Sequence, residues 1–171
     1  MKEFKNIALT GFMATGKSTV GRELAVLLGW DFTDTDEEIT AKAGMSIQQI
    51  FGTKGEGFFR QIEEEVIQKV TLREKCVISC GGGAILSERN RFLLRENCYT
   101  IWLHNSIETT IKRNENRCRP LLCCPDPLEK AITLYKEREP LYAGSCDHSM
   151  CTEMLSPTVI ASALTVHISG L

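Results

Sequence analysis

Hydrophobic and polar positions along this chain switch between two periods. NIALT at 6–10 is a short apolar run that stops at a glycine-bearing turn, and apolar positions of helical spacing follow over 17–28, so the chain opens as strand, loop, helix. Residues 30–33 read as a second short strand that runs out into Asp34 and Asp36, and Ile47 and Ile50 among Ser46, Gln48 and Gln49 suggest a small helix. A long amphipathic helix is expected over 56–75, with Phe59, Ile62, Val66, Ile67 and Val70 on one face. CVISC at 76–80 reads as a buried strand stopped by Gly81, Gly82 and Gly83, and residues 99–103 as another, after a helix that starts near Ser87. The stretch 114–127 breaks the pattern. It is polar and basic, then RPLLCCPDP, whose three prolines hinder regular structure, and it reads as a mobile lid. One more helix to about Leu141, a strand over 146–151 and a final helix from about Ser156 complete the chain.

Strands alternating with helices make an α/β fold with a mostly parallel sheet, because parallel neighbours need crossover connections and helices supply them. Ligands of such folds bind beyond the carboxyl ends of the strands. With 171 residues, 43% hydrophobic and 25% charged, the expected organisation is a single domain over 1–171. A net charge of −2 without blocks of like charge argues against nucleic-acid and membrane-surface partners. The amino terminus, MKEFKNIALTGF, lacks the apolar core of a signal peptide, and no apolar run is long enough to span a bilayer, so a cytoplasmic protein is expected; a monomer is the separate expectation for its assembly. The eight cysteines contain no C-x-x-C pair, so zinc-site spacing is absent and reduced thiols are expected. Cys76 and Cys80 should pack as small hydrophobes, whereas Cys118, Cys123 and Cys124 fall in the proline-containing loop. His104, His148 and His167 are scattered and take no role.

The strongest chemical signal is GFMATGKS, Gly11 to Ser18, which satisfies G-x-x-x-x-G-K-[ST] between a predicted strand and a predicted helix. Glycines in such a loop let successive backbone N–H groups point at phosphate oxygens, and the helix start adds the positive end of its dipole. Lys17 reaches the β- and γ-phosphates of a nucleotide, and Ser18 offers a hydroxyl to Mg²⁺. The loop alone does not separate a kinase from a GTPase, a motor or a switch. Asp34 and Asp36, two apart at the end of an extended strand, would project to one side, where one carboxylate could serve a metal and the other an acceptor hydroxyl. Helix capping by either aspartate is the competing reading, and spacing leaves both open.

Further motifs follow in order: F-F-R with Glu63 three residues beyond Arg60, G-G-G at 81–83, R-P-L-L, and R-E-P-L-Y around Arg138. In this series, over nearly its whole length, the chain resembles the shikimate kinases. The resemblance implies a three-layer α/β/α fold of the P-loop NTPase type, with a five-stranded parallel sheet, and transfer of phosphate from ATP to the 3-hydroxyl of shikimate. It also implies roles. Gly11, Ala14, Thr15, Gly16, Lys17, Ser18 and Thr19 would hold the nucleotide, with Arg113 stacked on adenine. Ser18 and Asp34 would serve Mg²⁺, Asp34 also lying close to the substrate, and Asp36 would hold the acceptor hydroxyl and act as its base. Arg60 and Arg138 would grip the substrate carboxylate with their planar donor forks. Glu63 would orient Arg60 or a water, and Gly82 would offer its N–H to a ring hydroxyl between Gly81 and Gly83. Arg119 in the lid would swing onto the transferring phosphate, with Arg117 as a substitute, and the acceptor-binding region would span about 34–63. Ala14 and Thr15 stand where many members carry glycine and serine.

Other readings fit less well. A gluconate-type kinase would keep the loop but not the paired arginines with D-T-D, a GTPase would show N-K-x-D, which is absent, and a dead module would have lost Lys17, Asp36 or Arg60.

Overall fold

The computed structural model describes residues 4–114 and 126–171. Strands β1 (Asn6–Thr10), β2 (Asp31–Asp34), β3 (Cys76–Ser79), β4 (Cys98–His104) and β5 (His148–Cys151) form one sheet in the order β2-β3-β1-β4-β5, with every neighbouring pair parallel. Burial follows that order. The inner strands β1 and β3 are buried at every residue, whereas β5 at the edge alternates between half-buried and exposed.

The period-2 alternation of β1 sends its side chains into two separate cores. Ile7 and Leu9 pack with Val20 and Leu24 of α1 (Lys17–Leu28) and with Ile160 and Leu164 of α8 (Pro157–Ser169). Ala8 faces the opposite layer, where Ile39 of α2 (Thr35–Ala43), Ile50 of α3 (Ile47–Thr53), Phe59, Val66 and Ile67 of α4 (Gly55–Val70) and Leu94 of α5 (Glu88–Asn97) meet the sheet. The three-layer α/β/α architecture expected from the sequence is therefore present. After β4 the chain forms α6 (Ile107–Asn114), and α7 (Pro127–Ser145) leads into β5.

Several boundaries differ from the sequence expectation for local reasons. The helix expected over 56–75 ends at Val70, where the Thr71 hydroxyl turns back onto the Ile67 carbonyl and Lys75 takes a left-handed φ of 54°. Wholly buried Asn6 fixes this turn: its Nδ2 donates to the Thr71 and Arg73 carbonyls, and its Oδ1 accepts the Cys76 N–H. Residue 36 is not strand. β2 stops at Asp34, which caps α2, so Asp36 lies in the first helical turn. The helix expected to end near Leu141 continues to Ser145 with Pro140 inside it. The lid expected at 114–127, with Arg117, Arg119 and three cysteines, lies almost wholly outside the described residues.

At the sheet edge His148 stacks on His167, centroids 3.9 Å apart, and His167 Nε2 lies 2.9 Å from the Tyr99 hydroxyl. Burial, reinforced by His167, holds His148 below its ordinary pKa of 6.5. A histidine depressed in the folded state contributes stability that is present above its unfolded pKa and lost as pH falls through its folded one. The urea midpoint should therefore drop between about pH 7 and pH 5. His148→Gln should flatten that slope, and equal slopes in both proteins would exclude the histidine pair as its source.

Candidate active site

The loop between β1 and α1 is shaped by contacts as well as by glycine. Gly11 has φ 141°, and a Cβ there would collide with the Leu103 carbonyl of β4, so no side chain is tolerated. The buried Thr15 hydroxyl donates to the Phe12 carbonyl at 2.9 Å and closes the turn. Lys17 Nζ donates to the Gly11 and Phe12 carbonyls, both at 2.8 Å, which folds the ammonium over the loop. No side chain caps α1, whose N-terminal residue before the helix is Gly16, so its first backbone donors suit an anion.

Ser18 and Asp34 meet at the carboxyl ends of the strands. Ser18 Oγ donates to Asp34 Oδ2 at 2.6 Å, lies 3.3 Å from Ser79 Oγ at the end of β3, and Asp34 Oδ1 accepts the Asp36 N–H at 3.0 Å. The capping and metal-side readings of Asp34 are thus compatible, one oxygen serving each. Two adjacent hard oxygen donors suit Mg²⁺, which retains several waters and binds through few protein ligands. Together with Met13, Lys17, Asp36, Gly81, Gly82 and Arg113, these residues line a cavity of about 380 Å³, within the range of small-molecule sites. Arg113 enters it from the last turn of α6 and donates to the Ala14 carbonyl at 3.2 Å.

A second group of charged residues, Arg60, Glu63 and Arg138, gathers around the glycine turn. Arg60 Nη1 donates to Glu63 Oε2 at 2.7 Å, and its Nη2 to Glu56 Oε1 at 2.9 Å. A Cβ on Gly83 would collide with the Arg60 guanidinium, and one on Gly81 would lie 2.9 Å from Asp36 Oδ1 and 3.0 Å from Glu63 Oε1. A Cβ at either position would push these side-chain ends out of the places they hold here. Glu63 is 1% exposed, and its Oε1 has no hydrogen-bond partner among the described residues. Burial pushes its carboxyl above the ordinary range, opposed by Arg60, with Asp36 adding to the rise. Arg138 on α7 is 3% exposed, donates to the Gly82 carbonyl at 3.3 Å and lies over the Phe12 ring. Arg60, Glu63 and Arg138 are beside the cavity rather than in its lining.

Sequence reasoning did not single out three residues that hold this frame. Thr35, wholly buried, accepts the Gly81 N–H at 2.9 Å through its hydroxyl. Ser79 joins Ser18, and Tyr142 donates to the Gly82 carbonyl. Thr35 is the middle letter of D-T-D and Tyr142 the last of R-E-P-L-Y, so both lay inside quoted motifs without a visible task.

Ala14 adopts φ 59°, a left-handed conformation that costs a residue with a Cβ about 1–2 kcal/mol. Ala14→Gly should raise the unfolding free energy by up to about 1 kcal/mol, after the larger unfolded-state entropy of glycine is subtracted. A lower chemical-denaturation midpoint would contradict this.

A family model described as shikimate kinase matches residues 13–169. The shikimate kinase of Pasteurella multocida is 41% identical over 173 aligned residues, covering 100% of this chain and 99% of that protein. That of Caldicellulosiruptor bescii is 40% identical over 167, covering 96% of each. Among solved structures, a shikimate kinase from Acinetobacter baumannii in complex with shikimate aligns with a TM-score of 0.94 at 36% identity, covering 99% of this chain and 95% of that one.

Proposed function

The chain belongs to the shikimate kinase family, and we propose that it transfers the γ-phosphoryl group of ATP to the 3-hydroxyl of shikimate through the residues gathered around its glycine turns. The observation that carries this reading is the convergence of Lys17, the Ser18–Asp34 pair and Asp36 on one cavity, with Arg60, Glu63 and Arg138 packed beside it.

Gly11, Ala14, Thr15, Gly16 and Thr19 form or flank the loop that receives the phosphates, and Arg113 stands where it can contact the nucleotide. Lys17 exchanges the Gly11 and Phe12 carbonyls for phosphate oxygens, a swap of one set of oxygen partners for another. Ser18 and Asp34 would hold Mg²⁺, which when bound neutralises charge on the phosphates. Asp36 faces the acceptor. It takes the proton of the hydroxyl as that oxygen forms its bond to phosphorus and the bridging oxygen leaves with ADP. Arg60 and Arg138 receive the carboxylate, Glu63 sets the Arg60 fork, and the Gly82 N–H, flanked by Gly81 and Gly83, serves a ring hydroxyl. We read residues 1–171 as one kinase domain acting as a cytoplasmic monomer, with the acceptor region near 34–63. Among the described residues no helix is long and apolar enough to cross a membrane.

ADP release with Mg·ATP tests the reading, with shikimate set against gluconate, a nucleoside monophosphate and water as acceptors. Shikimate-dependent release is expected; release with another acceptor or with water alone would discard it. Lys17→Ala should abolish transfer. Asp36→Asn should lower kcat by about 10²–10⁴ with a small change in KM, as expected for loss of a general base. Arg60→Ala should raise KM for shikimate, removing roughly 1.5–3 kcal/mol of charged hydrogen bonding. Unchanged constants in Arg60→Ala would move the acceptor elsewhere.

A further inference from the structure

Tyr142 follows Arg138 by four residues on α7, so the two side chains leave the same face of the helix. They meet at one atom. The Gly82 carbonyl oxygen accepts from Arg138 Nη1 at 3.3 Å and from the Tyr142 hydroxyl. The Tyr142 ring is wholly buried and stacks on Trp102, centroids 6.0 Å apart and planes 12° from parallel. Burial pushes its phenol well above the ordinary value, opposed by the Arg138 guanidinium beside it, so the hydroxyl keeps its proton to donate.

The carbonyl that these two residues share is central to the site. Its planar peptide also carries the Gly83 N–H on the opposite edge, so fixing the oxygen fixes both residues. Gly83 is the residue against which the Arg60 guanidinium lies, while Gly82 rests against the phosphate loop near the Gly11 carbonyl and the Met13 N–H. Arg138 is the weaker holder, because 3.3 Å is long for a bond from a charged donor, which is usually 2.7–2.9 Å. If Arg138 turns toward an incoming carboxylate, the Gly82 oxygen loses one donor.

We propose that Tyr142 is a positioning residue for the acceptor: its hydroxyl holds the Gly82 carbonyl while Arg138 changes partners, so the glycine turn keeps its place beside both arginines. This rests on the reading of Arg138 as a carboxylate ligand. Tyr142 touches no substrate; it acts through Gly82. Without its hydroxyl, recruiting Arg138 leaves a carbonyl beneath the site with no donor, and that penalty appears as weaker acceptor binding.

Tyr142→Phe is the test, since phenylalanine fills the same volume and keeps the stacking on Trp102. KM for shikimate should rise about tenfold, the effect of one hydrogen bond, while kcat and KM for ATP stay within about twofold. Arg138→Lys is measured alongside. If it leaves KM for shikimate unchanged, the carboxylate reading fails and this inference with it. If it raises that KM but Tyr142→Phe does not, the positioning role alone is overturned. It is equally overturned if Tyr142→Phe lowers kcat and raises both KM values together, the signature of general loosening.

Discussion

The site depends first on one carboxylate. Asp34 is 8% exposed, and a charge so shielded from water must be satisfied by hydrogen bonds where it stands. Its two oxygens divide the work: Oδ2 takes the Ser18 hydroxyl and Oδ1 the Asp36 N–H. The first bond ties the start of α1 to the end of β2, and the second starts α2 one residue later. The helix start then turns Asp36 toward the cavity. Two carboxylates, Asp34 against Ser18 and Asp36 in the cavity lining, are thus set apart by a single capping interaction, and losing it would displace both.

A second constraint acts on the far side of the cavity, where Gly81 and Gly83 let charged side chains lie against the backbone in places that a Cβ would force them to leave. Glu63, buried beside Asp36, is raised toward its neutral form by burial and by that neighbour, while Arg60 holds it toward the ionised one. Thr35 joins the two constraints by accepting the Gly81 N–H from the first turn of α2. The Ser18–Asp34 corner and the glycine turn are therefore one hydrogen-bonded frame, although 45 residues and several elements separate Asp36 from Gly81 in sequence.

This frame was legible in part. The phosphate-loop motif, the apolar run that becomes β1 and the alternation of strand and helix could be read from the sequence, because local pattern and global fold ask for the same residues there. Position 36 stayed open, since D-T-D is compatible with extended chain and with a helix cap, and the structure shows the cap in the Asp36 N–H that Asp34 Oδ1 accepts. The end of α4 was also hidden. Residues 71–75 carry no glycine or proline, and the turn is imposed by Asn6, across 65 to 70 residues of chain. Arg138 could be named as a site residue, but nothing in its neighbours in sequence indicated that it would be 3% exposed over Phe12.

The way the arginines are held bears on which acceptors the site would admit. Arg60 rests on the carboxylates of Glu63 and Glu56, whereas buried Arg138 rests on the neutral Gly82 carbonyl. On the proposed reading of both arginines, an anionic acceptor enters by partner exchange, with each guanidinium passing from one oxygen to another. A neutral polyol offers no group of matching charge, so it would either leave the arginines in place and gain nothing from them or displace them without compensation. Discrimination then comes from the partners the arginines already have as much as from the new contact. Exchange of this kind works only if the groups left behind keep a donor, and Tyr142 at the Gly82 oxygen is the residue able to supply it.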